Sequence, residues 1–344
     1  MRAPEFWWRR PPTGLARCLD PLGRLYGEIT LRRMRRAGAW AGIPVICVGN
    51  FVAGGAGKTP TTLALARRLV ALGETPVVLT RGYGGRSRGP VRVDPAVHDA
   101  GAVGDEPLLL AARLPTIVAR DRPAGAARAR AEGASVIVMD DGLQNPSLSK
   151  DLRLAVVDAA VGVGNGLCLP AGPLRAPLTG QMRSIDALVL IGTGAAGEEV
   201  ASQAAASGLP VLRAALAIPA AVRDGLRGQP VLAVSGIGRP EKFRATLLEA
   251  GARLIGERVF GDHHAYLAQD VAEIIAQAKA HECRIAVTEK DMVKLGPLWP
   301  ASERQRLLSV PVTLAFAEDA AIDALLRRSL ANARSAAPGA ADPQ

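Results

Sequence analysis

The segment that most constrains this chain is Ala53-Gly54-Gly55-Ala56-Gly57-Lys58-Thr59, set between the apolar run Ile43 to Val48 and the apolar-periodic run Leu63 to Leu72. A strand, a glycine loop ending in Lys-Thr, and then a helix is the context in which such a loop cradles nucleotide phosphates. Gly54, Gly55 and Gly57 allow consecutive N–H groups, that of Ala56 among them, to turn toward phosphate oxygens. Lys58 adds a point charge for the β and γ oxygens, and Thr59 a hydroxyl for Mg²⁺. The strict pattern asks for glycine at position 52, where this chain has Val52. An ATP- or GTP-using protein is expected, with the acceptor of the phosphoryl group still open.

Around this loop, strands and helices alternate. Strands are predicted at 43–48, 77–80, 116–118, 136–139 and 154–157, with helices at 59–72, 105–112 and 123–132. That alternation argues an α/β fold with a parallel, doubly wound sheet of the phosphate-loop NTPase type. A second, smaller α/β domain is read from strands at 186–191, 210–216, 230–234, 285–288 and 311–316, with helices near 197–206, 239–250 and 267–280. The expected division is 1–155 for the first domain and 180–317 for the second. Between them, 156–179 holds the aperiodic Gly- and Pro-rich stretch from Gly162 to Pro177 and is read as a linker or substrate loop. A last helix within 320–330 is expected to return to the first domain, and 331–344 to be a frayed tail.

Charge is concentrated at the start of the chain. The formal net charge is +10, and residues 1 to 40 hold nine arginines against three acids. Leu15 to Arg36 reads as one or two amphipathic helices. Their basic face, with Trp7, Trp8 and the cluster Arg32-Arg33-Met34-Arg35-Arg36, suits an anionic membrane surface. Nucleic acid and a merely solvated arginine-rich face are the rival readings. The expected partner is the membrane surface, with no nucleic acid and no obligate protein partner. Prolines and arginines break the N-terminus before any signal-peptide apolar run forms, and no later stretch reads as a spanning helix. Cys18, Cys47, Cys168 and Cys283 lack metal-like spacing, so free thiols in a reducing compartment are expected.

Four further motifs carry chemistry. Asp140-Asp141 ends an apolar strand downstream of the glycine loop, where an acid positions Mg²⁺; the sequence does not order the two. Asp105-Glu106 opens a helix, either as its acidic cap or as a carboxylate that takes a proton from an alcohol. Asp262-His263-His264 places two of the four histidines together beside a carboxylate. An imidazole tuned by an acid fits better than a zinc site, because no Cys/His spacing offers further ligands. Thr288-Glu289-Lys290-Asp291 follows a strand and either serves the nucleotide, neutralising its charge or reading its base through Asp291, or is a charged turn.

Taken in series, these blocks resemble a known family. They are Val48-Gly49-Asn50 through Pro60, Arg81-Gly82-Tyr83-Gly84, Gly104 to Pro107, Asp140 to Gln144, Leu169 to Arg175, Asp262-His263-His264 and Thr288 to Asp291. Together they are similar to tetraacyldisaccharide 4'-kinase, the lipid A kinase of Gram-negative bacteria, over residues 40 to 295. The resemblance implies transfer of the γ-phosphoryl of ATP, with Mg²⁺, to the 4'-hydroxyl of a tetraacylated glucosamine disaccharide 1-phosphate, giving lipid IVA. It implies a phosphate-loop kinase of two domains, monotopic on the cytoplasmic face of the inner membrane. By motif position, Asp105 matches the catalytic base and His263 its partner, with His264 the alternative if the active imidazole is the second. Lys58 and Thr59 match phosphate and Mg²⁺ residues, and Asp140 and Asp141 the acidic pair near the metal. Thr288, Glu289, Lys290 and Asp291 fall to the nucleotide. Arg81, Tyr83, Arg120, Arg122, Asn165 and Arg175 fall to the lipid substrate.

Two other classes compete. A phosphate-loop ATPase of the metal-loading or positioning type shares the loop, but its signature lysine before the double glycine is replaced by Ala53, and no guanine-reading motif supports a GTPase. A non-enzymatic membrane or nucleic-acid binder explains the N-terminus only. Neither accounts for Asp105 and the histidine pair in one chain.

Overall fold

Val45, Ile46, Cys47 and Val48 are all at most 1% exposed, so the first strand is covered on both faces, as in a sheet sandwiched by helices. The computed structural model describes residues 3–262 and 264–336. His263 and the end of the expected tail lie outside the described residues.

The strands are β1 (Val45–Asn50), β2 (Pro76–Thr80), β3 (Val91–Arg92), β4 (Thr116–Val118), β5 (Val136–Asp140), β6 (Leu152–Asp158) and β7 (Ala187–Ile191). They continue with β8 (Val211–Ala217), β9 (Pro230–Ser235), β10 (Arg253–Val259), β11 (Arg284–Thr288), β12 (Leu307–Val310) and β13 (Thr313–Phe316). The helices are α1 (Gly14–Met34), α2 (Lys58–Ala71), α3 (Ala100–Val103), α4 (Asp105–Ala111), α5 (Arg122–Ala131) and α6 (Leu178–Met182). After them come α7 (Ala195–Ala206), α8 (Ala220–Leu226), α9 (Pro240–Glu249), α10 (Ala268–Ala280), α11 (Glu289–Leu295) and α12 (Asp319–Ser335).

Among the described residues the larger sheet has nine strands in the order β13-β8-β7-β6-β1-β5-β2-β4-β3, with only β13 and β3 antiparallel to their neighbours. Alternate residues of β1 serve opposite cores. Ile46 and Val48 pack with Leu65 and Leu69 of α2 and with Ile322 and Leu326 of α12. Val45 and Cys47 pack with Ala126 and Ala129 of α5. Each large aliphatic side chain buried this way contributes about 1.5–3 kcal/mol relative to exposure. The smaller sheet is wholly parallel, in the order β10-β9-β11-β12, with α10 on one face and α8 and α9 on the other.

This arrangement corrects the expected division. Strands β7, β8 and β13 join the large sheet, so the chain changes sheet after Ala217 and not within 156–179. The single strand expected at 311–316 is two, β12 and β13, in different sheets, separated at Pro311-Val312. The stretch from Gly162 to Pro177 links no domains. It packs beside the glycine loop, with Ala53 N–H donating to the Pro173 carbonyl at 2.7 Å and Arg175 N–H to the Phe51 carbonyl at 2.9 Å. Helix α12 runs to Ser335, into the segment expected to be frayed, and is tied down by Glu74–Arg334 (2.7 Å) and Arg68–Asp323 (2.8 Å).

After a short 3-10 turn at Glu5–Trp8, Gly14–Met34 forms one helix that runs across Pro21. Gly23 and Gly27 of α1 lie against Cys168 so closely that an added Cβ would come within 2.7 Å of its atoms. Leu15, Leu22, Leu25 and Ile29 of the same helix are at least half exposed. Trp7 is only half-exposed, because its indole N–H donates to the Pro170 carbonyl at 3.0 Å. No helix of the described residues is long and apolar enough to cross a membrane.

Candidate active site

In an open parallel sheet, ligands bind beyond the carboxyl ends of the strands where the strand order reverses. Here that point is β1, with β6, β7 and β8 to one side and β5, β2 and β4 to the other. The carboxyl ends of β1, β5 and β6 deliver Asn50, Asp140 and Asp158 to this edge.

The glycine loop leaves β1 and ends at Gly57, which caps the fourteen-residue α2 in a left-handed conformation (φ 92°). Gly54 is left-handed too (φ 112°), and an added Cβ at Gly54 or Gly55 would meet nothing within 4 Å. The loop therefore presents open backbone in front of a helix N-terminus, which is an anion-binding arrangement. Asn50, wholly buried, braces it: its amide donates to the Gly54 carbonyl at 3.1 Å and accepts from Lys58 Nζ at 3.3 Å. Sequence reasoning gave Asn50 no role of its own, although it stands immediately before the loop.

The acidic pair divides into two different environments. Asp140 is 1% exposed and accepts from the Thr62 hydroxyl at 3.2 Å. Burial, with Glu106 and Asp141 nearby, pushes its carboxyl up to about 7 against the pull of Lys58 and Thr62. Asp141 sits in a left-handed conformation (φ 51°) that turns it toward Arg175. The guanidinium grips it at 2.8 and 3.3 Å, and Lys58 lies 3.7 Å away. Burial works to raise the Asp141 carboxyl, yet Lys58 and Arg175 hold it at about 2. Asp141 is thus engaged by two cations, while the side-chain partner of Asp140 is the neutral Thr62 hydroxyl.

Asp105 is 4% exposed at the start of α4, with Glu106 N–H donating to its Oδ1 at 3.0 Å. The smaller unit reaches over it. Lys290 Nζ of α11 lies 3.3 Å from Glu106, 3.8 Å from Asp105 and 4.0 Å from Asp262. Burial works to lower the Lys290 ammonium, but Glu106, Asp105 and Asp262 together hold it above its ordinary value. Glu289 pairs with Arg113 at the end of the α4 segment, a second link between the units.

Several predicted site residues are committed elsewhere. Asp291 is fully buried and accepts from Gly236 N–H, the Tyr266 hydroxyl and the Thr288 hydroxyl, so it reads no base. Thr288 caps α11, which replaces the alternative of a charged turn, and Glu289 is taken by Arg113 and Val312 N–H. His264 bonds Asp270 at 3.1 Å and stacks on Phe260 with ring centroids 4.7 Å apart, which is a packing role. Asn165 is 7% exposed and spends its amide on the Ala171, Phe6 and Leu167 backbone, so it shapes its own loop. Arg122 is 1% exposed and donates to the Ala119 carbonyl, out of reach of a lipid. Arg175 is spent on Asp141, Gln144 and the Val52 carbonyl. Arg81, Tyr83 and Arg120 remain exposed on the segments after β2 and β4.

The donor set fits a nucleotide and Mg²⁺: an open backbone cradle, an ammonium, and hard hydroxyl and carboxylate oxygens. Among the described residues no group of three His, Cys, Asp or Glu side chains forms a metal cage, and Mg²⁺ does not ask for one.

Comparison with known proteins identifies the fold and the family. Over 92% of this chain and 99% of its own length, the crystal structure of LpxK from Aquifex aeolicus in complex with ATP superposes with a TM-score of 0.70 at 23% identity, which shows the shared fold. The tetraacyldisaccharide 4'-kinase of Methylobacterium sp. (strain 4-46) is 57% identical over 331 residues, covering 96% of this chain and 97% of that protein. That of Methylobacterium nodulans is 57% identical over 343 residues, covering 100% and 98%. The family model described as tetraacyldisaccharide-1-P 4'-kinase matches residues 15–331, and the chain belongs to that family.

Proposed function

We propose that this chain transfers the γ-phosphoryl group of ATP to the 4'-hydroxyl of a tetraacylated glucosamine disaccharide 1-phosphate, forming lipid IVA. The observation that carries the reading is the meeting of two halves at one edge: an open phosphate cradle at 53–59, and a buried carboxylate, Asp105, at the start of α4. Asp140 couples them, since it feels the charges of both Lys58 and Glu106.

The loop N–H groups and Lys58 hold the phosphates and stabilise charge as it develops on the transferring group. Mg²⁺ held by Thr59 and Asp140 would neutralise the β and γ oxygens. Asp141, fixed by Arg175, orients Lys58. Asp105 accepts the proton of the sugar hydroxyl, with His263 as its partner by resemblance. Lys290 answers the negative charge that Asp105, Glu106 and Asp262 bring together. Arg81, Tyr83 and Arg120 are left to meet the sugar or its phosphate. The exposed leucines and arginines of α1 are proposed to rest on the cytoplasmic face of the inner membrane, where such a lipid is presented.

Labelled ATP with and without the lipid disaccharide tests the reading. Lipid-dependent label transfer is expected. Phosphate release that ignores the lipid would favour the ATPase alternative instead. Asp105→Asn should lower kcat by roughly 10² to 10⁴ while ATP still binds. An equal loss of ATP affinity would count against the base assignment.

A further inference from the structure

Lys294 carries an ammonium with no acceptor in hydrogen-bonding geometry among the described residues. The side chain is 8% exposed, so water does not readily serve its three N–H donors. A buried cation left in that condition is costly, and its position asks for a reason.

Two carboxylates face it: Asp291 Oδ1 at 3.3 Å on its own helix, and Asp105 Oδ2 at 4.0 Å across the junction between the units. Asp291 is already satisfied by Gly236 N–H at 3.0 Å, the Thr288 hydroxyl at 2.6 Å and the Tyr266 hydroxyl at 2.9 Å. Burial and Asp291 raise the Tyr266 phenol, so it stays a donor to that acid. The Tyr266 ring, centred 5.2 Å from Lys294 Nζ, closes the other side. The remaining direction is Asp105. Lys290 also approaches Asp105, but it is shared with Glu106 and Asp262.

We propose that Lys294 is a positioning residue for Asp105: an ammonium supplied by the smaller unit that keeps the proton-accepting carboxylate ionised and in place when α11 is docked on α4. This rests on the reading of Asp105 as the proton acceptor. Among the described residues, the groups facing Asp105 include Glu106 on its own helix and Lys290 and Lys294 on α11, with Asp262 behind Lys290. Only Lys294 among these is both cationic and free of a competing acid on the large unit. A cation within about 4–6 Å of a buried carboxylate favours its charged form, and Lys294 Nζ stands at that distance from Asp105. The site is complete only when the second unit is in contact, so proton acceptance is coupled to docking.

The test is the pH profile of kcat/KM for the full chain in detergent micelles with ATP and the lipid disaccharide. Lys294→Met should move the acid limb upward by about one unit or more, a roughly 10-fold loss at any pH below the limb. KM for ATP should change by less than about twofold, and Lys294→Arg should recover most of the loss. Lys294→Met alone strands the Asp291 charge in the core, so the Lys294→Met/Asp291→Asn pair, which removes both charges, is measured beside it. An unmoved acid limb in the pair, or a single variant that only melts earlier, overturns the proposal and leaves Lys294 a counterion of Asp291. Wild-type turnover by Asp105→Asn would instead sink the base assignment itself.

Discussion

The Asp141–Arg175 pair offers a quantitative test of how the loop at 162–177 supports the glycine loop. Arg175→Met removes two hydrogen bonds to Asp141, one to Gln144 and one to the Val52 carbonyl. A carboxyl lowered from 3.8 to about 2 corresponds to about 2.5 kcal/mol if fully sheltered. The Asp141 side chain is 37% exposed and Lys58 shares the work, so the part due to Arg175 is discounted to about 1 kcal/mol. A double-mutant cycle of Arg175→Met and Asp141→Asn isolates this coupling from the other bonds. The sign follows from a depressed folded value. The contribution is fully present above the unfolded pKa of about 3.8 and is lost as pH falls through about 2, leaving about half at pH 3. Urea unfolding of the four proteins at pH 7 and pH 3 reads it. A coupling below about 0.3 kcal/mol at pH 7, or one unchanged at pH 3, would refute the reasoning.

Three other outcomes are expected. Burial lifts the Cys47 and Cys168 thiols to about 11, so each has roughly 100-fold less thiolate near neutral pH than an ordinary cysteine; native protein should titrate with a disulfide reagent at exposed Cys18 only, and fast reaction of Cys47 would contradict the packing. Gly57→Ala puts a side chain on a left-handed residue, with its Cβ 2.6 Å from Ile191 Cδ1, and should weaken ATP binding by about 10-fold or more in calorimetry; a variant that binds normally would show that the loop tolerates distortion. Leu22→Asp with Ile29→Asp changes two exposed residues of α1 and should cut sedimentation with anionic vesicles while leaving the melting temperature within about 2 °C; unchanged sedimentation would remove α1 from the membrane contact.

Much of the secondary structure was legible because its signals are local. Strands such as β1 and β5 are apolar on both faces, and helices such as α2 carry Pro60 in their first turn, where a missing N–H costs nothing. Strand β10 escaped, because Arg253, Glu257 and Arg258 break its apolar run at an exposed sheet edge. Sheet membership was not legible either: β7 and β8 look alike whichever sheet receives them, and pairing is set by distant partners. At the candidate site, α2 after the glycine loop touches α4, which begins at Asp105, and Asp140 lies near enough to feel Lys58 and Glu106. Asp291, Asn165 and Arg122 depart from the roles their motifs suggest, because a motif records residue type and order, whereas burial decides whether a charge or amide faces a ligand or its own backbone. Lys294 lies three residues beyond Asp291, in a helix whose sequence reads as an ordinary charged segment.

The return of the chain into the large sheet limits how the molecule can move. The chain leaves at Ala217 and comes back at Thr313, and these two residues are register partners in the β8–β13 ladder. The smaller unit is therefore an insertion hung from two adjacent strands instead of a bead on a single string. Two side-by-side attachments oppose twisting and sliding, and leave bending across the line between them as the easy motion. Such a bend carries α11 toward or away from α4 along one arc, so Lys290 and Lys294 approach Asp105 and Glu106 together or not at all. The same closeness of ends means that the insert can be cut out and bridged by a short turn, leaving a continuous nine-stranded sheet with its phosphate cradle but without the lysines that face its acids.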